Sequence, residues 1–271
     1  MKQLLTFFGL AYLLSWIIWL PLYGHRFGLT DLPILPFHHG IGALGPLLAS
    51  FITTWIFDKR TGVRDLLRRC FRIKPLIYLL IAIIGPFVLA FLAAVIHYFI
   101  DKTPVDLSGI LVCREFPAFS LFTFFIYNLV FFGFGEEVGW RGFALPRFQE
   151  KFNALTSAVL LTVFWAIWHW PLFLYRPGMA SMDAAGIFGW TFSLLTGSIL
   201  LTWLYNSSRG SILICAVFHS TIDIAFTADF ANKDIVNYMG FLITLWGILT
   251  LVFFKPRNLA RKSREISNHP E

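Results

Sequence analysis

The sequence predicts an all-α polytopic membrane protein with about eight transmembrane helices in one bundle, and three observations predict it. Of 271 residues, 57% are hydrophobic and only 14% charged, against about 25% charged in a typical soluble domain. Mean hydropathy is +0.70. The apolar residues also recur in runs long enough to cross a hydrocarbon layer, which takes about 20 helical residues. Backbone polar groups in lipid must be satisfied within the spanning segment, so such runs are read as helices. A net charge of +7 would by itself allow nucleic-acid binding. Its distribution points to a lipid bilayer instead, and no nucleic-acid partner is expected.

In chain order the spans are 4–23, 35–57, 75–100, 117–136, 154–175, 185–206, 210–228 and 236–254. The first follows Met1-Lys2-Gln3 and lacks a small-x-small cleavage site, so it reads as a retained span. The second opens on His38 and His39, and the third closes on His97, all three expected to be structural residues near the interface. The fourth carries Asn128, expected to bond across helices, and ends at an acidic pair. The fifth holds His169 followed by Pro171, and Pro146 follows the acidic pair; either proline would kink or end a helix. The sixth has no charge. The seventh contains His219 and Asp223, and the eighth ends before Lys255.

The bundle thus occupies residues 1–254 as a single domain, followed at 255–271 by a polar basic tail expected to be disordered. Eight spans put both termini on one side. Seventeen of the 22 Lys and Arg then fall on that side, so both termini are expected in the cytoplasm. Lys59 to Lys74 interleaves basic and apolar residues, which suits either an interfacial helix on anionic lipid or a topogenic loop. Residues 143–152 read as a second short interfacial piece. No internal repeat supports an inverted-repeat transporter. Cys70, Cys113 and Cys215 lack CxxC spacing and are expected as free thiols.

The chemistry centres on Gly133-Phe134-Gly135-Glu136-Glu137-Val138-Gly139-Trp140-Arg141-Gly142. Charge within a membrane is costly unless it is paired and used. Glu137 and Arg141 stand four apart on one helix face, while Glu136 points about 100° away. An ion pair between the first two leaves Glu136 for chemistry, and the glycines allow close helix approach. His169 lies one turn after Trp165, and His219 shares a face with Asp223. Each of these polar groups is expensive against lipid, so they are expected to converge in a cavity inside the bundle. A carboxylate and two imidazoles there could activate water and stabilise an oxyanion. Alternatively, Glu136, His169 and His219 could ligate a divalent metal such as zinc. There is no His-Glu-x-x-His, and both readings stay open.

Glu136-Glu137-x-x-x-Arg141, then Trp165-x-x-x-His169, then His219-x-x-x-Asp223 resembles the ordered three-motif signature of the CPBP family, the CAAX proteases and bacteriocin-processing enzymes also called ABI. The resemblance covers roughly residues 117–228. It implies an intramembrane endopeptidase of the type II CAAX protease kind, with an eight-helix bundle. It also implies roles: Glu136 and His169 as the water-activating pair, His219 and Asp223 as the oxyanion pair, and Glu137 with Arg141 as support. The second motif usually begins with Phe, so Trp165 is expected to change packing and little else. The last position is often Asn; Asp223 can donate to an oxyanion only when protonated, and ionised it would orient His219 or assist a metal.

The resemblance implies a membrane-anchored protein or peptide substrate, prenylated in the CAAX case, and the compact chain with little beyond the bundle is expected to fit a prokaryotic plasma-membrane member better than a larger eukaryotic one. The segment from Glu136 to Lys151, read as a cytoplasmic loop, suggests a site opening toward that side. Two other classes compete: a non-catalytic regulator or immunity protein of the same fold, and a proton-coupled transporter.

Overall fold

The computed structural model of the chain describes residues 1–267. Among them, seven helices are long and apolar enough to cross a membrane. They are α1 (Lys2–Tyr23), α2 (His38–Cys70), α3 (Leu76–Asp101), α4 (Leu121–Lys151) and α5 (Ala154–Tyr175), then α6 (Ala184–Ser207) and α8 (Lys233–Asn258). Between the last two, α7 (Ile212–Thr227) has only 16 residues, about 24 Å at 1.5 Å per residue. It is apolar but shorter than the seven spanning helices, and it runs between the same two ends of the bundle.

Side-chain bonds show which helix ends lie together. Arg147 reaches Gln3 and Asp58, the Gln149 and Asn206 amides bond each other and Asn206 reaches the Asn258 carbonyl, and Ser211 donates to the Arg72 carbonyl. The start of α1 and the ends of α2, α4, α6 and α8 therefore share one end of the bundle, here called the basic end. At the opposite end His39 pairs with Tyr175, Tyr238 with Asp101, and Arg114 donates to the Ala228 carbonyl. The helices alternate in direction. α1 and α5 run parallel and in register: Tyr12 donates to the Phe164 carbonyl at 2.8 Å, and the Trp16 indole to that of Trp168 at 3.0 Å.

The interior is aromatic. Trp19, Trp140 and Trp168 are almost fully buried, and Phe8 stacks on Phe164 with ring centroids 4.0 Å apart. Phe122, Phe188 and Phe253 point outward, where lipid would receive them. Helices in a bilayer are held by close packing rather than by exclusion of water, and α4 packs at backbone distance. A Cβ on Gly133 would lie 2.4 Å from Ser220 Oγ on α7, and one on Gly139 would lie 2.6 Å from the Pro46 Cβ on α2. The three cysteines are free and buried.

Several expectations need correction. The fourth span does not end at Glu136. Residues 135–149 are buried without interruption and helical, because paired charges and glycine contacts keep the chain inside the bundle. Of the segment 143–152, residues 143–149 are packed inside the bundle rather than lying on its surface, while Glu150, Lys151 and Phe152 are exposed, and Pro146 sits harmlessly in the first turn of Leu145–Lys151. Asn128 bonds the Phe124 carbonyl of its own helix rather than a neighbour. α2 kinks at Lys59 (φ 55°) and continues as a helix to Cys70 with Leu66 and Cys70 inward, the amphipathic form of the two readings. The tail is not loose where it is described: Leu259 and Ala260 are buried, and the Gln149 and Asn206 side chains bond the backbone of Glu265. The rest of the 255–271 tail, residues 268–271, lies outside the described residues.

Candidate active site

α4 is one rod built of two helix types. Leu129–Phe134 and Trp140–Ala144 are π-helical, and between them Gly135–Gly139 is a single α-helical turn. A π-turn adds a residue to the helical repeat, turning the side chains that follow it by about 100°, and such insertions recur at functional sites. The turn between the two insertions carries Glu136 and Glu137.

The adjacent carboxylates face different partners, as their angular separation requires. Glu137 is fully buried and its Oε1 accepts from Arg141 Nη1 and His219 Nδ1, both at 2.8 Å. The Arg141 pairing is the one anticipated from i,i+4 spacing. The bond to His219, which ties α4 to α7, was not foreseen. His219 keeps Nε2 on its far side, 3.6 Å from Asp223 Oδ2, too long for a direct hydrogen bond. Asp223 is 31% exposed at its side chain, against 9% for His219, so it stands at the accessible edge of the site.

Glu136 is 4% exposed. Its Oε2 accepts from two indoles, Trp165 Nε1 at 2.7 Å and Trp140 Nε1 at 3.2 Å. Trp165 comes from α5 and Trp140 from one turn further along α4. The expectation that Trp165 merely replaces a packing ring is therefore overturned, since phenylalanine has no N–H to offer. The ring has other duties. The Arg141 guanidinium lies over its face at 4.5 Å, and the His219 ring meets it at 5.7 Å. The Trp165 carbonyl accepts from His169 Nδ1 at 2.7 Å. A carbonyl only accepts, so Nδ1 carries the proton and Nε2 of His169 keeps its lone pair.

His169 sits where α5 breaks ahead of Pro171, half-buried among Trp165, Trp168 and Trp190. The structure thus gathers Glu136, Glu137, Arg141, His219 and Trp165 in one bonded cluster, with His169 joined through the Trp165 backbone and Asp223 beside His219. No direct Glu136–His169 bond is formed. The indole donors and the π-turns have no motif of their own; the one available cue was a tryptophan, which carries a buried polar hydrogen needing a partner.

A cavity of about 270 Å³ lies at the end opposite the basic one, lined by Leu22, Phe37, His39, Glu115, Tyr175 and Arg176 among others. One aromatic layer separates it from the cluster. His39 packs on Phe132, one turn before Glu136, and also on Trp19; Trp19 meets Trp168, which meets His169. An opening through a loop after Glu136 is not available, because that segment is the buried helix described above.

Among the described residues no three His, Cys, Asp or Glu side chains are grouped so as to hold a metal ion. Glu136 Oε2 is committed to two indoles and His219 Nδ1 to Glu137. The zinc alternative would use Glu136 Oε1 and the Nε2 atoms of His169 and His219, which those bonds do not occupy.

Residues 118–225 match the family described as Rce1-like, the type II CAAX prenyl endopeptidases, a stretch that contains every residue of the cluster. A curated relative, CAAX prenyl protease 2 of Methanococcus maripaludis, is 29% identical over 93 residues, covering 33% of this chain and 34% of that protein. The chain matches about a third of the relative's length.

Proposed function

We propose that this chain, a member of the CPBP or CAAX protease family, is a membrane-embedded endopeptidase that hydrolyses a peptide bond in a membrane-anchored protein or peptide. The observation that carries the reading is the division of labour between the two carboxylates. Glu137 is saturated at Oε1 by a guanidinium and an imidazole, whereas Glu136 has both its hydrogen bonds on Oε2. That leaves Oε1 of Glu136 as the oxygen that takes a proton from water.

In this scheme a water held between Glu136 Oε1 and the Nε2 lone pair of His169 gives up a proton to Glu136 as its oxygen bonds the scissile carbonyl carbon. The carbonyl oxygen becomes an oxyanion and accepts from a protonated His219 Nε2, whose ring is aimed by the Nδ1 bond to Glu137. Collapse expels the amine, which leaves with the proton that Glu136 carried. Asp223 flanks Nε2 at the accessible edge of the site. Prenylated C-terminal segments are the substrate class that the family name favours. The Lys- and Arg-rich end is placed in the cytoplasm with both termini.

The test is cleavage by purified protein in lipid, wild type beside Glu136→Gln and His169→Ala, against prenylated and unprenylated C-terminal peptides, with metal content measured on the same samples. Cleavage by the wild type that falls at least about 1000-fold in Glu136→Gln, with unfolding temperature preserved, is the expected outcome. Cleavage undiminished in both variants would overturn it, and stoichiometric uptake without hydrolysis would replace it with transport.

A further inference from the structure

Trp165 touches four residues of the site, through its indole N–H, its ring and its carbonyl. Its indole N–H binds Glu136 at 2.7 Å, its ring face receives Arg141 at 4.5 Å, its ring meets His219 at 5.7 Å, and its carbonyl accepts from His169 at 2.7 Å. The residue is itself 5% exposed, so its ring has little room to turn. We infer that Trp165 is the positioning residue of the site: its N–H fixes which oxygen of Glu136 reacts, and its backbone fixes which nitrogen of His169 does.

The inference rests on the peptidase reading for its kinetic consequence, though not for its geometry. A carboxylate has two equivalent oxygens and turns about its last torsion, whose preferences are broad. Two N–H donors on the same oxygen remove that freedom. Trp140, at 3.2 Å and on the same helix as Glu136, supplies the longer bond. Trp165, at 2.7 Å and from a different helix, supplies the shorter one and ties α4 to α5 at the reacting atoms. His169 follows one turn later on α5, so a single residue, through its side chain and its carbonyl, sets base and imidazole in one frame. Preorganisation of this kind lowers the barrier without adding affinity for substrate.

Trp165→Phe is the variant to make, because it keeps an aromatic ring beside Arg141 and His219 and deletes the N–H. The expected result is a fall in kcat of about 10- to 100-fold with KM unchanged, as for loss of orientation felt in the chemical step rather than in binding. Trp140→Phe is expected to cost less. A second readout needs no activity: in ¹⁵N-indole-labelled protein the Trp165 Nε1 resonance should move when Glu136 becomes Gln, while that of Trp168, bonded to Ser15, should stay. Wild-type kcat in a folded Trp165→Phe, or an indole resonance indifferent to Glu136→Gln, would overturn the assignment. If the wild type cleaves nothing, the peptidase reading fails alone and the resonance still decides the clamp.

Discussion

Two arginines on α4 bury their guanidinium groups 6 residues apart and are treated in opposite ways. Arg147, near the basic end, is saturated: Nε donates to Gln3, Nη1 to the Phe143 carbonyl and Nη2 to Asp58, at 2.6, 3.0 and 2.6 Å. Arg141 is fully buried, bonds Glu137 through Nη1, and has no hydrogen-bond partner at Nε or Nη2 among the described residues, nor does Glu137 Oε2. A buried polar group without a partner is destabilising. The contrast separates a clasp, which gives each guanidinium nitrogen a partner and joins the ends of α1, α2 and α4, from a site that retains hydrogen-bonding capacity where chemistry is proposed.

The comparison can be broken at either arginine. The largest effect is expected from Glu137→Ala, which strands Arg141 and frees His219 together: about 3 to 5 kcal/mol of stability, read by thermal unfolding in detergent, with cleavage lost even in the folded fraction. Arg147→Met should also destabilise, by about 2 to 4 kcal/mol, but cleavage per folded molecule should stay within twofold of wild type. Equal loss of specific activity in both would erase the distinction between clasp and site.

Smaller tests sharpen the account of the basic end. Asn206→Ala removes bonds to Gln149, to the Asn258 carbonyl and from the Glu265 amide; a cost of about 1 to 2 kcal/mol is expected, with faster proteolysis in residues 258–267 and no change in kcat. The smallest effect concerns Glu265, whose carboxyl is pushed above its ordinary range by burial, against the opposing pull of Arg72, Arg69 and Arg209. A carboxyl raised on folding favours the docked tail below its unfolded pKa, and that contribution is lost as pH rises through the folded value. A spin label at Ser267 should therefore gain mobility as pH rises from about 4, and Glu265→Gln should flatten the response.

The bundle and much of its chemistry could be read before the structure because they depend on local pattern. Apolar runs announce helices, alternating basic loops announce their order, and i,i+4 spacing announces Glu137 with Arg141. What escaped depends on neighbours distant in sequence or on backbone geometry without a residue code. The bond from His219 to Glu137 joins α7 to α4, the Trp165 donor joins α5 to α4, and the π-turns around Gly135–Gly139 arise from packing. Residues 135–149 looked like an exit from the membrane because charge usually is one; here Glu137, Arg141 and Arg147 are ion-paired inside and Glu136 is held by two indoles. The tail looked loose on composition, yet it is held through its backbone, which composition does not register.

The register between α1 and α5 carries a consequence for how the molecule is made. Tyr12 and Trp16 each donate to a carbonyl 152 residues later. Chains grow at about 5 to 20 residues per second, so the first helix waits on the order of 8 to 30 s in the bilayer before its partner is synthesised. During that interval two polar aromatic tips have no acceptor from α5. A membrane chaperone, or the interfacial water that such tips seek, has time to hold α1 in readiness, and the order of assembly is written into the distance between a phenol and a carbonyl.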